Sequence, residues 1–383
     1  MGPLFRRGLL ALTLVLMVAI SLPRVPRAWV DYAGRPLLDG LSQPDTYGPD
    51  TISDMYGARV VLNDPLDMYT KHDVEQTPLE AATWSKEASA PYPPAALFVM
   101  AGLLAAGDAI GIGYYGMVLL LAATFIGLSL AYFLKTRWYL FPLLYLNFGY
   151  LSERFVRVQD GSYLAMLVVV MAALWLARAG RPASHLLMAL AASMKLSPIY
   201  YVKNLLLMGR GTAATYAAIL AAGLALPYVV FEHYLYIYTY GYELRGSASG
   251  AAGALAAAGL FAVLIAYVET RLGFDWEERI GWSLVPVAVF LALKLNAPRH
   301  LLLVLLVPDK RGLRNVAAAV AMLVPALVPS VRFGAAGPIA VAILLGGLIR
   351  YVRRIGWTTV RDDLRHPGRT VAMMAGMQHE RRA

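Results

Sequence analysis

The chain has 383 residues, of which 59% are hydrophobic and only 15% charged, with a formal net charge of +10. Soluble domains carry about 25% charged residues, so this composition excludes an ordinary water-soluble domain. It contains no cysteine, which excludes disulfides, thiolate nucleophiles and Cys-ligated metals. The excess Lys and Arg falls in short loops and in the tail, without the aromatic interleaving of a nucleic-acid binder, so nucleic acid is not an expected partner.

Runs of about 20 apolar residues are long enough to cross the roughly 30 Å hydrocarbon core as helices. The expectation is therefore an all-α polytopic membrane protein of about 10–12 transmembrane helices with a large first extracytoplasmic loop. Residues 1–22 form the first helix, with Arg6-Arg7 ahead of Gly8 to Leu22. Pro23-Arg24-Val25-Pro26-Arg27 offers no small-residue cleavage site, which favours a retained helix over a removed signal. Residues 23–94 form the loop, with six Lys/Arg against eleven Asp/Glu. Residues 95–352 hold the remaining spans: Ala95 to Gly107, Ile112 to Leu134, Trp138 to Tyr150, Tyr163 to Ala177, Ala183 to Met208 and Gly211 to Phe231, then Ala251 to Val268, Ile280 to Leu295, Arg299 to Val307, Leu313 to Val328 and Ala336 to Val352. With the first helix they make twelve crossings, of which Trp138 to Tyr150 and Arg299 to Val307 are short enough to be tilted or re-entrant. Residues 353–383 are a basic cytoplasmic tail facing anionic headgroups. An even count puts both termini on the cytoplasmic side of a multi-pass protein, a prokaryotic cell membrane being the expected location.

GIGYYG, Gly111 to Gly116, matches a dinucleotide-binding spacing but follows no strand, so packing by small residues explains it better. His72-Asp73 is too small a pair for a metal site, and no metal or cofactor is expected.

The acidic loop carries SDMYGARVVLNDPLDMY, Ser53 to Tyr69, and ends in PYPP, Pro91 to Pro94. Downstream stand VQDGSYLAMLVVVMAALWLARAGRP and ALAASMKLSPIYYVKNLLLMGR. In this order, an Asp motif, Tyr, YPP, Gln159 and Lys195-x-x-Pro198 resemble the membrane glycosyltransferases of the C superfamily, closest to glycosyltransferase family 87. The resemblance covers Ser53 to Arg210. Val158 stands where the family has glycine, and about thirty additional residues, Pro23 to Ile52, precede the Asp motif.

The resemblance implies an inverting hexosyltransferase, mannose being the first sugar to test. The donor would be a polyprenyl-phosphate sugar, the acceptor a glycolipid or cell-envelope glycan, and membrane lipids the surroundings. Such a transfer needs a base for the acceptor hydroxyl and cations for the departing phosphate. Asp54 is the expected general base, with Asp31 as its rival; capping of a short loop helix is the alternative role for Asp54. Lys195, Arg299 and His300 are the candidate phosphate ligands, with Gln159 and Tyr92 orienting donor or loop. Arg299 and His300, with Lys294 one helical turn before, read either as a phosphate clamp or as an ordinary interfacial anchor; Arg154 and Arg157 are lesser candidates. Lys195, read as lying midway along an apolar helix, is costly to bury, so a partner or ligand is expected. Snorkelling explains it without function. The Tyr cluster from Tyr234 to Tyr242 reads as an interfacial aromatic belt. Two other functions fit the composition: a transporter or flippase built on paired broken helices, and a non-catalytic membrane scaffold recruiting through the acidic loop.

Overall fold

The computed structural model describes residues 57–63, 65, 92–137, 140–145, 161–231, 248–294, 298–327 and 333–374. Among them there is no strand, and the regular structure is entirely helical. Five segments are long and apolar enough to cross a membrane: Gly116–Leu134, Gly161–Arg178, Arg210–Val230, Ala252–Arg271 and Ala336–Ile355. Pro94–Ala109, Ala183–Met194 and Leu313–Val324 are apolar but shorter. The all-α class is thus observed. The count among the described residues is smaller than expected: Ala183 to Met208 and Ile280 to Leu295 are interrupted, Pro94–Ala109 and Leu313–Val324 are short, and the expected first helix, residues 1–22, lies outside the described residues.

The chain divides into two compact units. The first falls within Met1–Val168, Pro227–Tyr242 and Met322–Arg332. Its centre is a hairpin of α1 (Pro94–Ala109) and α2 (Gly113–Leu134), followed by the short α3 (Leu140–Tyr145). Pro94 opens α1 at a position whose N–H would have no helical partner in any residue. Gly111 and Gly113 make the reversal at φ 76° and 61°, which a side chain would resist. Gly107 faces the Gly113 backbone so closely that a Cβ there would collide with it. Gly111 and Gly113 of GIGYYG therefore serve a tight turn between the two helices, and the close approach at Gly107 is the packing by small residues that the sequence suggests nearby. Ala58, Val60 and Val61, from a helical segment over 57–63, share one apolar cluster with Tyr92, Ala96, Leu97, Met100 and Tyr114. The described piece of the acidic loop is thereby fixed to the first hairpin.

The second unit falls within Val169–Leu226, Glu243–Ala321 and Phe333–Ala383. The helix α4 (Gly161–Arg178) leads into it. There α5 (Ala183–Met194) is followed by a 3₁₀ helix over Ser197–Leu207, and then by α6 (Arg210–Leu220). The span continues through a π turn over Ala221–Ala225 to Leu226, after which the chain enters α7 (Pro227–Val230), which is counted with the first unit. The long α8 (Ala248–Arg271) packs against α10 (Val285–Lys294), with α9 (Trp276–Ser283) between them in sequence. α10 packs on α11 (Pro298–Leu306), and α12 (Leu313–Leu327) follows. Last come α13 (Ala336–Ile355), α14 (Trp357–Arg365) and α15 (Pro367–Met374).

The C-terminal ends of α8 and α13 lie together. Phe274, just after α8, meets Tyr351 of α13 edge-on at 6.3 Å between ring centroids. Asp363 of α14 accepts hydrogen bonds from Arg271 Nε at 2.9 Å and from the Tyr267 hydroxyl at 2.7 Å. With Arg353 and Arg354 in the last turn of α13, this is the basic end of the unit.

Candidate functional site

Ala183 to Met208 does not form the single helix expected of it. Pro198 in a continuous α-helix would lack an N–H for the Met194 carbonyl and its ring would clash there, so the helix must stop. It stops at Met194, and Lys195 takes an extended conformation, φ −146° and ψ 137°. The 3₁₀ helix then folds back beside α5: His185 Nδ1 lies 2.8 Å from the Tyr201 hydroxyl. The Trp276 ring meets His185 edge-on at 4.4 Å, and Tyr201 and Tyr216 are 6.1 Å apart, which closes the base of this hairpin with aromatic rings. Lys195 is thus at a helix break, partly buried, and not midway along a helix.

The depth of that break follows from its neighbours. Ser193 Oγ donates to the Ala189 carbonyl at 3.0 Å and lies 3.5 Å from that of Ile219. A Cβ on Gly223, inside the π turn, would run into the Ser193 side chain. Ile219 and Gly223 are central in the Arg210–Val230 span. On the other side, the Tyr200 hydroxyl donates to the Ala262 carbonyl, central in Ala252–Arg271. Lys195 therefore lies near half-depth of the apolar helices around it.

The second cationic group comprises the last residue of α10 and the first turn of α11. Lys294 ends α10, with its Nζ 5.6 Å from the Phe290 ring centroid, and Arg299 and His300 occupy the first turn of α11. A Cβ on Gly337 would be 3.4 Å from Pro298, so this junction lies beside the start of α13, away from the basic end. Helix N-termini carry a partial positive charge that repels cations and attracts anions. Lys195 and the Lys294–His300 junction occupy one unit at different depths.

Tyr92, 8% exposed, packs in the apolar cluster of the first unit. That position suits holding the loop onto α1. Asp54, Asp31 and Gln159 lie outside the described residues, as do Arg154, Arg157, His72-Asp73 and the 234–242 tyrosines.

A cluster that the sequence reading passed over lies at the base of the Lys195 hairpin. Glu269 is 0% exposed and pairs with Lys203, while Arg279 lies 3.8 Å away and donates to Asn204 Oδ1 at 3.1 Å. Asn204 is also buried. Two cations thus surround one buried carboxyl group. Its signal was Glu269 itself, an acid at the end of a long apolar run. A second signal was Asp275 with Glu278 three residues on: this is a capping box, with Asp275 accepting from the Glu278 N–H at 3.0 Å. Glu278 pairs in turn with Arg311, and Asp275 with Lys310. What reads as a charged turn is thus the start of α9, linked to the segment that precedes α12.

Among the described residues no group of three His, Asp or Glu is placed to hold a metal ion. Compared with known proteins, the chain matches no protein family, no curated protein and no solved structure.

Proposed function

We propose that the protein is an integral-membrane glycosyltransferase that moves a hexose, mannose first among those to test, from a polyprenyl-phosphate sugar to a lipid-linked or cell-envelope acceptor. The observation that carries the reading is the position of Lys195. A lysine at a helix break near half-depth of apolar helices can hold a lipid phosphate whose tail stays in hydrocarbon. The backbone there is extended, so a headgroup approaches without displacing a helical turn. The Lys294–His300 junction, shallower and away from the basic end, provides a second anion site along the path of a departing phosphate. Asp54, in the acidic loop, is the base that accepts the acceptor hydroxyl proton, with Asp31 the alternative. By the positive-inside rule, the basic end of the second unit and both termini are cytoplasmic.

One observation favours a second reading. A helix interrupted at Lys195 and a π turn at 221–225 within a membrane-length span are the kind of element transporters use at their substrate sites. Export of a polar lipid is therefore the rival function. Purified protein given a radiolabelled polyprenyl-phosphate hexose and a crude lipid acceptor separates the two. Enzymatic transfer releases free polyprenyl phosphate and labels the acceptor. Label that crosses a proteoliposome bilayer with its donor intact would establish the transporter and remove the transferase.

A further inference from the structure

The last described helices form a surface that the sugar-transfer reading does not use. On α14, Trp357, Arg361, Leu364 and Arg365 fall at i, i+4, i+7 and i+8 and so share one face of the helix. Trp357 is 64% and Leu364 76% exposed. Two large apolar side chains alternate there with two exposed arginines. The helix is held by another side: its buried residue is Asp363, gripped by Arg271 and Tyr267 of α8. Thr370 Oγ1 donates to the Asp363 carbonyl at 2.8 Å and fixes α15 to α14. Arg369 and Val371 are exposed on α15.

The charge around this face is one-sided. Residues 350–374 contain six arginines (350, 353, 354, 361, 365 and 369) and two aspartates. Of those aspartates, Asp363 is already matched by Arg271. All six arginines are exposed, and the first three sit at the end of the apolar α13. An exposed tryptophan and leucine interleaved with arginine, on a short helix beginning where a membrane-length helix ends, match the chemistry of a phospholipid headgroup layer. The apolar side chains reach the acyl boundary while the guanidinium groups meet phosphates.

We infer that α14 and α15 lie flat on the membrane surface and bind anionic phospholipid through the Trp357–Arg361–Leu364–Arg365 face. The inference requires only that α13 lie in a membrane and is independent of any sugar transfer.

The absence of cysteine makes Leu364→Cys a unique attachment point for an environment-sensitive dye in the full-length protein. The labelled protein is reconstituted into vesicles of phosphatidylcholine alone, or of phosphatidylcholine with phosphatidylglycerol, with and without lipids bearing a shallow doxyl quencher. The expected result is blue-shifted, doxyl-quenched emission that grows with the phosphatidylglycerol fraction. Arg361→Gln with Arg365→Gln should reduce the preference for phosphatidylglycerol by about 10- to 30-fold, from about 1 kcal/mol per surface arginine. Emission that is water-like and unquenched in both vesicles would overturn the inference and assign this face to a soluble protein partner. Equal quenching in both vesicles, unaffected by the arginine substitutions, would overturn recognition of anionic lipid.

Discussion

Lys203 and Glu269, 66 residues apart in sequence, form an ion pair in which the carboxylate is wholly shielded from solvent. The pair joins the returning arm of the Lys195 hairpin to α8, and Arg279 reaches it from α9. Removing one member of a buried pair leaves an unmatched charge and costs about 3–5 kcal/mol.

The two partners are not equivalent, and this gives the first prediction. Glu269→Gln leaves Lys203 and Arg279 facing each other without an acid. Lys203→Gln still leaves Glu269 matched by Arg279. Thermal unfolding in detergent should therefore show a larger loss for Glu269→Gln than for Lys203→Gln. Combining the two should recover part of the Glu269→Gln loss. Equal losses that simply add would mean that the charges are not coupled.

Asp363 gives a pH dependence. Burial alone would raise its carboxyl, but hydrogen bonds from Arg271 and Tyr267, with the charges of Arg271 and Arg369, hold it below its ordinary value of 3.8. A depressed acid adds stability that is fully present above its unfolded value. That stability declines once the pH drops below the ordinary value and is gone below the folded one. Attachment of 357–374 to α8, followed by limited proteolysis of the tail, should be constant from neutral pH to about 5 and weaken below about 4. Asp363→Asn should be loose at neutral pH and show a flatter profile.

Catalysis is tested at the two loop aspartates. An acceptor hydroxyl without its base should react about 10²- to 10⁴-fold more slowly. Asp54→Asn is expected to bind donor, fold normally and transfer almost no sugar. Activity surviving in Asp54→Asn but absent in Asp31→Asn assigns the base to Asp31.

Lys195→Ala should lower turnover by about 10²-fold in a protein that still folds, because the N–H by which residue 195 caps α5 belongs to the backbone and survives the substitution. A variant with unchanged kcat and KM for the donor would exclude Lys195 from the donor site.

Orientation is open to direct labelling. Single cysteines at Ser85 and Gln378 place probes in the acidic loop and in the tail. An impermeant maleimide applied to intact cells should label Ser85→Cys and not Gln378→Cys. The opposite pattern inverts the protein and removes the acidic loop from the side on which transfer is proposed.

Local chemistry made parts of the fold legible. Tyr92-Pro93-Pro94 announces α1 because a proline suits the first turn of a helix, and the glycines of GIGYYG announce the turn before α2. Lys195 was legible as a cation among apolar residues. Its setting is not given by hydropathy, since apolar residues recur on both sides of it; Pro198, which cannot continue the helix, is the local mark of the break. Ile280 to Leu295 has the same history: α9 ends at Ser283, and α10 begins at Val285. Glu269 was missed for the opposite reason. The apolar run ends at Val268, so the acid counts as the first loop residue, yet α8 continues to Arg271. Which cations surround that acid depends on a lysine and an arginine from two other elements, and no local pattern contains that information.

The Arg271–Asp363 contact also sets an order in time. The two residues are 92 positions apart, and chains are made at about 5–20 residues per second. Arg271 therefore waits roughly 5–20 s for its carboxylate to be synthesised. During that interval the end of α8 must be served by water or lipid phosphate. The basic end is consequently the last part of the second unit to close, and a chain cut before Asp363 would leave the ribosome with it permanently open.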